Sequence, residues 1–133
     1  MQRYDREIED IDLPDASVDM VFMVLSYHDV YFVTDGWTVT ADPTFAMLRR
    51  VLKPGGVLAI VDHAAAPGTG NQHAGDLHRI DPEFAKADIA ARGFEFIGAS
   101  DVLENAADGL DKSVFDESIR RQTSRFVYKF ARK

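Results

Sequence analysis

The apolar positions of this chain group into short runs separated by polar, turn-forming stretches. Residues 1–17 are polar and end in Leu13-Pro14-Asp15-Ala16-Ser17, a turn. Residues 18–25, VDMVFMVL, are nearly continuously apolar. A strand buried on both faces reads this way, as in a parallel sheet. Asp42-Pro43 then opens a helix, with Asp42 as N-cap and Pro43 in the first turn. Phe45, Leu48 and Leu52 recur at i, i+3 and i+7, and Pro54-Gly55-Gly56 ends the helix. Residues 57–61 form a second buried strand. Strand, helix, strand in this order predicts a βαβ unit with parallel strands and a right-handed crossover.

The second half repeats the logic with different elements. A glycine-rich loop covers residues 64–75. Asp81-Pro82-Glu83 caps a second helix that closes at Arg92-Gly93, with Gly93 as the left-handed cap. Residues 94–99 form a third strand. Residues 101–123 are polar and irregular, with a short helix near 115–121. Residues 124–130 alternate, Phe126, Tyr128 and Phe130 against Arg125, Val127 and Lys129. That period of two marks an antiparallel strand with one wetter face.

Bulk properties narrow the class. The length of 133 residues suits one domain with one core. Apolar residues at 46% and charged residues at 28% are those of an ordinary globular protein. No apolar run reaches the ~20 residues of a membrane span, so no membrane is expected as partner. The charged first twelve residues contain no signal peptide, which places the chain as given in the cytoplasm. A net charge of −7 argues against nucleic acid as the main partner. With no cysteine there is no disulfide, no thiolate nucleophile and no Cys-based zinc site.

Chemistry is expected where an open parallel sheet binds ligands, beyond the carboxyl ends of its strands. The first strand ends in Ser26-Tyr27-His28-Asp29 and the second in Asp62-His63. A third group, His78-Arg79-Ile80-Asp81, opens the second helix on the same rim. His28 or His63 is then a candidate general base, oriented by Asp29 or Asp62. The plainer alternative makes both aspartates loop caps and His63 a solvated residue. His28, His63 and His78 with one carboxylate also compose a possible metal set. No HxxxH or HxH spacing supports it, so no metal is expected. Arg79 suits an anionic group or a surface salt bridge. Gly68-Thr69-Gly70 lacks the Gly-Lys-Ser/Thr ending of a phosphate loop. Tyr27, Tyr31, Phe32 and Trp37 either wall an apolar pocket or pack a loop onto the sheet.

These strings together resemble a known family. LPDASVDMVFMVLSYHDVY is similar to the acidic loop and fourth strand of class I S-adenosylmethionine-dependent methyltransferases. FAMLRRVLKPGGVLAIVDH resembles the following helix and fifth strand, and GFEFIGAS and SRFVYKFAR the closing antiparallel pair. YHD at 27–29, VDHAA at 61–65, LHRIDP at 77–82, VFDESIR at 114–120 and RQTSRFV at 121–127 resemble a bacterial subfamily of predicted methyltransferases, often made with export signals. The resemblance implies an α/β fold: the C-terminal half of a Rossmann-like methyltransferase domain, with two parallel strands, an antiparallel pair and flanking helices. Residues 1–133 then make a single partial domain. The family's GxGxG loop, which holds the cofactor, is expected before residue 1.

The resemblance also implies roles. S-adenosylmethionine is the cofactor of the complete fold and a small molecule the methyl acceptor. Glu9 and Asp10 lie on the adenine side, with Ser26 on the cofactor wall. Tyr27, His28 and Asp29 line the acceptor site, and Asp62, His63, His78 and Arg79 border it. An upstream export signal would move the protein to the periplasm. The alternative is a catalytically silent interaction module that assembles through its sheet. The strand at 18–25 lacks its neighbour on one side, which favours a homodimer or a complementary N-terminal half.

Overall fold

The computed structural model describes residues 3–133. Strand β1 (Val18–Val24) leads through a 3-10 turn (His28–Tyr31) to helix α1 (Ala41–Val51) and strand β2 (Leu52–His63). Helix α2 (Pro82–Ala91), β3 (Phe94–Ser100) and β4 (Arg125–Arg132) follow. The sheet order is β1-β2-β4-β3. β1 and β2 run parallel, and β4 is antiparallel to both β2 and β3. This matches the α/β architecture and the closing antiparallel pair expected from sequence. Among the described residues, no helix is long and apolar enough to cross a membrane.

The turn into β2 is built on glycine. Gly55 has φ +74°, a left-handed conformation that suits glycine. At Gly56 a Cβ would stand 2.8 Å from the Lys53 carbonyl oxygen and 3.2 Å from that of Asp19. No side chain fits there without moving backbone. The pairing of β1 with β2 shifts register at this point, from Val18 opposite Leu52 to Met20 opposite Val57. The extra residues of Lys53-Pro54-Gly55-Gly56 bulge out of the ladder, and β2 therefore starts at Leu52, earlier than the apolar run alone predicts.

Two helix starts with the same Asp-Pro signal turn out differently. Asp81 is the N-cap of α2 as expected: its carboxylate accepts the Glu83 N–H at 2.9 Å, with Pro82 in the first turn and Gly93 at φ +91° beyond the end. In α1 the N-cap is Thr40, without a side-chain cap bond, and Asp42 lies inside the first turn. Proline is tolerated throughout the first turn because those N–H groups have no helical partner. Pro43 therefore did not fix which residue caps. Asp42 is held by Arg92 of α2's end instead, at 2.6 Å.

The core lies on one face of the sheet. Phe45 and Leu48 of α1 and Ala85 and Ile89 of α2 pack on Leu58, Ile60, Phe94, Phe126 and Phe130. Val21 and Met23 of β1 pack against this cluster, while Met20, Phe22 and Val24 face outward and are exposed. The expectation that residues 18–25 are buried on both faces is thus corrected. Among the described residues no helix covers the second face.

Residues 101–123 form turns, without the short helix expected near 115–121. The stretch keeps a single turn instead: the Asp116 carboxylate accepts the N–H and the hydroxyl of Ser118, at 2.9 and 2.5 Å, and its carbonyl accepts the Arg120 N–H at 2.8 Å.

Candidate functional site

The carboxyl ends of β1 and β2 lie side by side, joined to the last rung by the Leu25 N–H to Val61 carbonyl bond of 2.7 Å. Leu25 takes φ +55°, which turns the chain out of the sheet and sets His28 over the end of β2. There His28 meets Asp62, the fully buried acid that ends the β2 core face. One Asp62 oxygen accepts the His28 backbone N–H at 2.7 Å, and the other accepts its ring Nδ1–H at 2.8 Å. A carboxylate only accepts, so Nδ1 carries the proton in this bond. The other ring nitrogen, Nε2, is 3.2 Å from Asp29 Oδ1.

His63 follows on the opposite face of β2. Its backbone N–H also bonds to Asp62, at 2.8 Å, and its ring Nδ1 meets the Thr123 hydroxyl at 2.7 Å. The rings of His28 and His63 are 6.1 Å apart, and those of His28 and His78 are 5.4 Å apart. His78 arrives from the loop before α2 with φ +54°, packed between Phe32 and Phe115 at 5.6 and 5.0 Å. The structure thus brings together His28, Asp29, Asp62, His63 and His78 on one rim.

The two rim histidines next to Asp62 are tuned in opposite directions. Burial works against the charged form of His28, but the Asp62 hydrogen bond and the charges of Asp62 and Asp29 prevail and raise its pKa. Burial dominates at His63 and pushes it down to about 4; Asp62 opposes, and His28, Arg125 and Arg79 reinforce. At neutral pH His63 is therefore a neutral imidazole, open to a proton but less basic than a free one. Such divergence between neighbours is characteristic of acid–base sites.

Other expected site residues take different places. Tyr27 does not face the rim: it is fully buried, stacked edge-on to Tyr31 and Phe45, and its hydroxyl donates to Asp88 at 2.8 Å. Burial first, and then Asp88, raise its pKa. Arg79 is neither free nor a surface ion pair. It is 0% exposed and donates to both Asp108 oxygens at 2.8 and 3.0 Å, and to the carbonyls of Ala64 and Lys112. It ties residues 108–112 to the end of β2 beneath the histidines. Ser26 closes the turn, its carbonyl accepting the Asp29 N–H. Glu9 and Asp10 lie in a 3-10 turn (Ile8–Asp10) that packs against α1. Thr123 and Asp108 were not singled out from sequence. Thr123 lies within the RQTSRFV string, whereas Asp108 carried no signal.

A cavity of about 520 Å³ lies further along the same rim, lined by Ala64, Pro82, Ser100, Glu104, Arg125 and Tyr128. It does not include the histidines.

Residues 2–60 match the family described as a methyltransferase domain. A search of curated proteins finds no match. Solved structures match the fold. An S-adenosylmethionine-dependent methyltransferase from Aquifex aeolicus aligns with a TM-score of 0.61 at 17% identity, over 98% of this chain and 54% of that one. Geranyl diphosphate C-methyltransferase from Streptomyces coelicolor A3(2), solved with Mg2+, geranyl-S-thiolodiphosphate and S-adenosyl-L-homocysteine, gives 0.60 at 14%, over 96% and 50%. The [4+2]-cyclase SpnF gives 0.59 at 14%, over 96% and 54%. The chain spans about half the length of these three structures. At such identities the likeness shows the fold, and SpnF's description as a cyclase shows that the fold does not fix the reaction.

Proposed function

We propose, on the premise of the class I S-adenosylmethionine-dependent methyltransferase family that the sequence match and the fold support, that this chain carries the acceptor side of methyl transfer to a small molecule. The observation that carries this reading is the joined set His28–Asp62–His63 at the carboxyl ends of two parallel strands. Ligands of open α/β sheets bind there. The acceptor nucleophile attacks the sulfonium methyl in line, its bond to the methyl carbon forming as the methyl–sulfur bond breaks. Positioning supplies much of the rate. His63, held neutral, takes the proton an O- or N-acceptor loses. His28, flanked by Asp62 and Asp29, borders the acceptor, and the two carboxylates favour its charged form. Asp62 positions both by accepting from both backbones. His78 borders the acceptor, and Arg79 acts as a positioning residue through the 108–112 loop.

Glu9 and Asp10 are assigned to the adenine side and Ser26 to the cofactor wall. The glycine-rich loop of the complete fold has no counterpart among the described residues, so the chain by itself is assigned weak cofactor affinity. Calorimetry with S-adenosylmethionine tests that part: micromolar binding by this chain would overturn it. In the protein as the cell makes it, His63→Gln is expected to cut methyl transfer by 10²–10⁴-fold, the range for a general base. Cofactor affinity should stay within threefold. An unchanged kcat would remove His63 from the reaction.

A second reading is favoured by one observation, the exposed outer face of β1. On it the chain is an interaction module that assembles through the sheet, as a homodimer or with a complementary N-terminal half.

A further inference from the structure

We propose that His28, Asp29 and His78 form a binding site for a divalent transition-metal ion. The sequence carries none of the short spacings that announce such sites, and on that ground no metal is expected. The fold supplies the convergence instead. One ligand atom from each of these three residues lies within 4.8 Å of the other two.

Three further observations make this a shaped set. His28 has one nitrogen committed: Nδ1–H is bonded to Asp62 at 2.8 Å, which leaves Nε2 to bind. Nε2 points at Asp29 Oδ1, 3.2 Å away. A metal-bound imidazole typically donates its other N–H to a carboxylate, which fixes the ring and raises its basicity. Asp62 occupies that supporting place and is itself held by two backbone N–H groups. His78, the third ligand, takes a left-handed backbone, φ +54°, that side chains adopt only at a cost. Strain of this kind is retained where the surroundings over-determine it, often at functional sites. Here Phe32 and Phe115 pack against the ring, whose centroid lies 5.4 Å from that of His28.

Ligand type selects the ion. Two imidazoles and one carboxylate suit zinc, iron(II), cobalt or nickel, whereas magnesium and calcium prefer all-oxygen sets. Ligands each about 2.1 Å from a shared ion sit roughly 3.4 Å apart in a tetrahedron. Rotation of the partly exposed Asp29 and His78 side chains closes the set to that size. The ion would displace the proton between His28 Nε2 and Asp29. Three protein ligands leave a coordination position for water or an acceptor hydroxyl, as in catalytic zinc sites. The proposal does not depend on methyl transfer, because its test reads metal binding.

The test uses this chain stripped of metal with a chelator. Zinc calorimetry should give one ion per chain, and cobalt(II) should develop the strong visible bands of a low-coordinate site. A large excess of Mg2+ should leave both unchanged. His78→Ala and Asp29→Asn should each weaken zinc binding at least 100-fold, with circular dichroism unchanged. Asp62→Asn should weaken it 10–100-fold through the lost support of His28. His73→Ala is the control, since His73 sits with Asp76 on the surface, apart from this cluster. Absence of stoichiometric binding in the unmodified chain overturns the proposal. So does binding that survives His78→Ala, or binding lost in His73→Ala.

Discussion

Asp62 grips His28 from two directions, one carboxylate oxygen on the backbone N–H and the other on ring Nδ1–H. The second oxygen also accepts the His63 N–H, so three donors converge on one fully buried acid. An amide offers only one acceptor oxygen, and its NH2 would face a donor. Asp62→Asn is therefore expected to destabilise the chain by about 1–3 kcal/mol, the cost of one unsatisfied buried donor. Urea unfolding with unchanged m-value measures it. A loss below about 0.5 kcal/mol would show that the three bonds are readily replaced.

His63 gives the chain an acid sensitivity above the carboxylate range. Its folded pKa is about 4, below the ordinary 6.5. Between these values the unfolded state binds more protons than the folded state, so stability falls as pH drops from about 6.5 to 4. Ring-proton NMR on metal-free protein should show one histidine titrating near 4, and His63→Gln should flatten the stability profile across that window. A His63 that titrates at an ordinary value refutes this.

Arg79 and Asp108 should govern a lower pH window. Burial raises the Asp108 pKa, but the Arg79 guanidinium and the N–H groups of Ser124 and Leu110 prevail and hold it below the usual carboxylate range. The stability this gives is present above about 3.9, the unfolded value, and is lost as pH falls through the folded pKa. Asp108→Ala leaves a buried guanidinium unpaired and is expected to cost about 3–5 kcal/mol. Thermal unfolding at pH 7 checks the magnitude. A loss under 1 kcal/mol would mean that water replaces the carboxylate.

The sequence was legible where the determinants are local. Asp81-Pro82 and Gly93 bound α2, and apolar patterning located β1, β3 and β4 within two residues, whereas β2 starts five residues before the expected 57–61. The His and Asp residues of the rim could be grouped because parallel strands place consecutive carboxyl ends together. What was not legible depends on distant partners. Nothing near Arg79 shows that it faces Asp108, 29 residues on, so a buried pair read as a surface one. Tyr27 lies between two rim candidates, yet its partner Asp88 is on α2, and the ring turns inward. Asp42 was assigned a local cap and found Arg92 instead. The metal set shows the same limit, because it joins residues 28 and 29 to residue 78 through the fold.

The outer face of β1 is expected to drive self-association. Among the described residues β1 is an edge strand, paired with β2 on one side only. Its outward residues are large and apolar: Phe22 is 67% exposed and Val24 53%, with Met20 beside them. Edge strands with unpaired N–H and C=O groups recruit other strands unless charge or a cover prevents it. Asp19 is the only charge in β1 and lies at its start, tied to Lys53 at 2.7 Å. A two-fold pairing of β1 edges would continue the sheet and bring the two apolar faces side by side. Val21 and Met23 pack on the core, so charging them would damage the fold. Phe22→Lys instead changes a side chain that is exposed in the monomer and outside the core cluster. Burial of such a side chain contributes about 2 kcal/mol, and a two-fold dimer holds two copies, so the change in dimer Kd is roughly 10³-fold. Light scattering across a dilution series should show a dimer for the unmodified chain and a shift of that size toward monomer for Phe22→Lys, with equal thermal stability at high dilution. A well-folded monomer at high concentration in the unmodified chain would rule out the edge as an assembly surface.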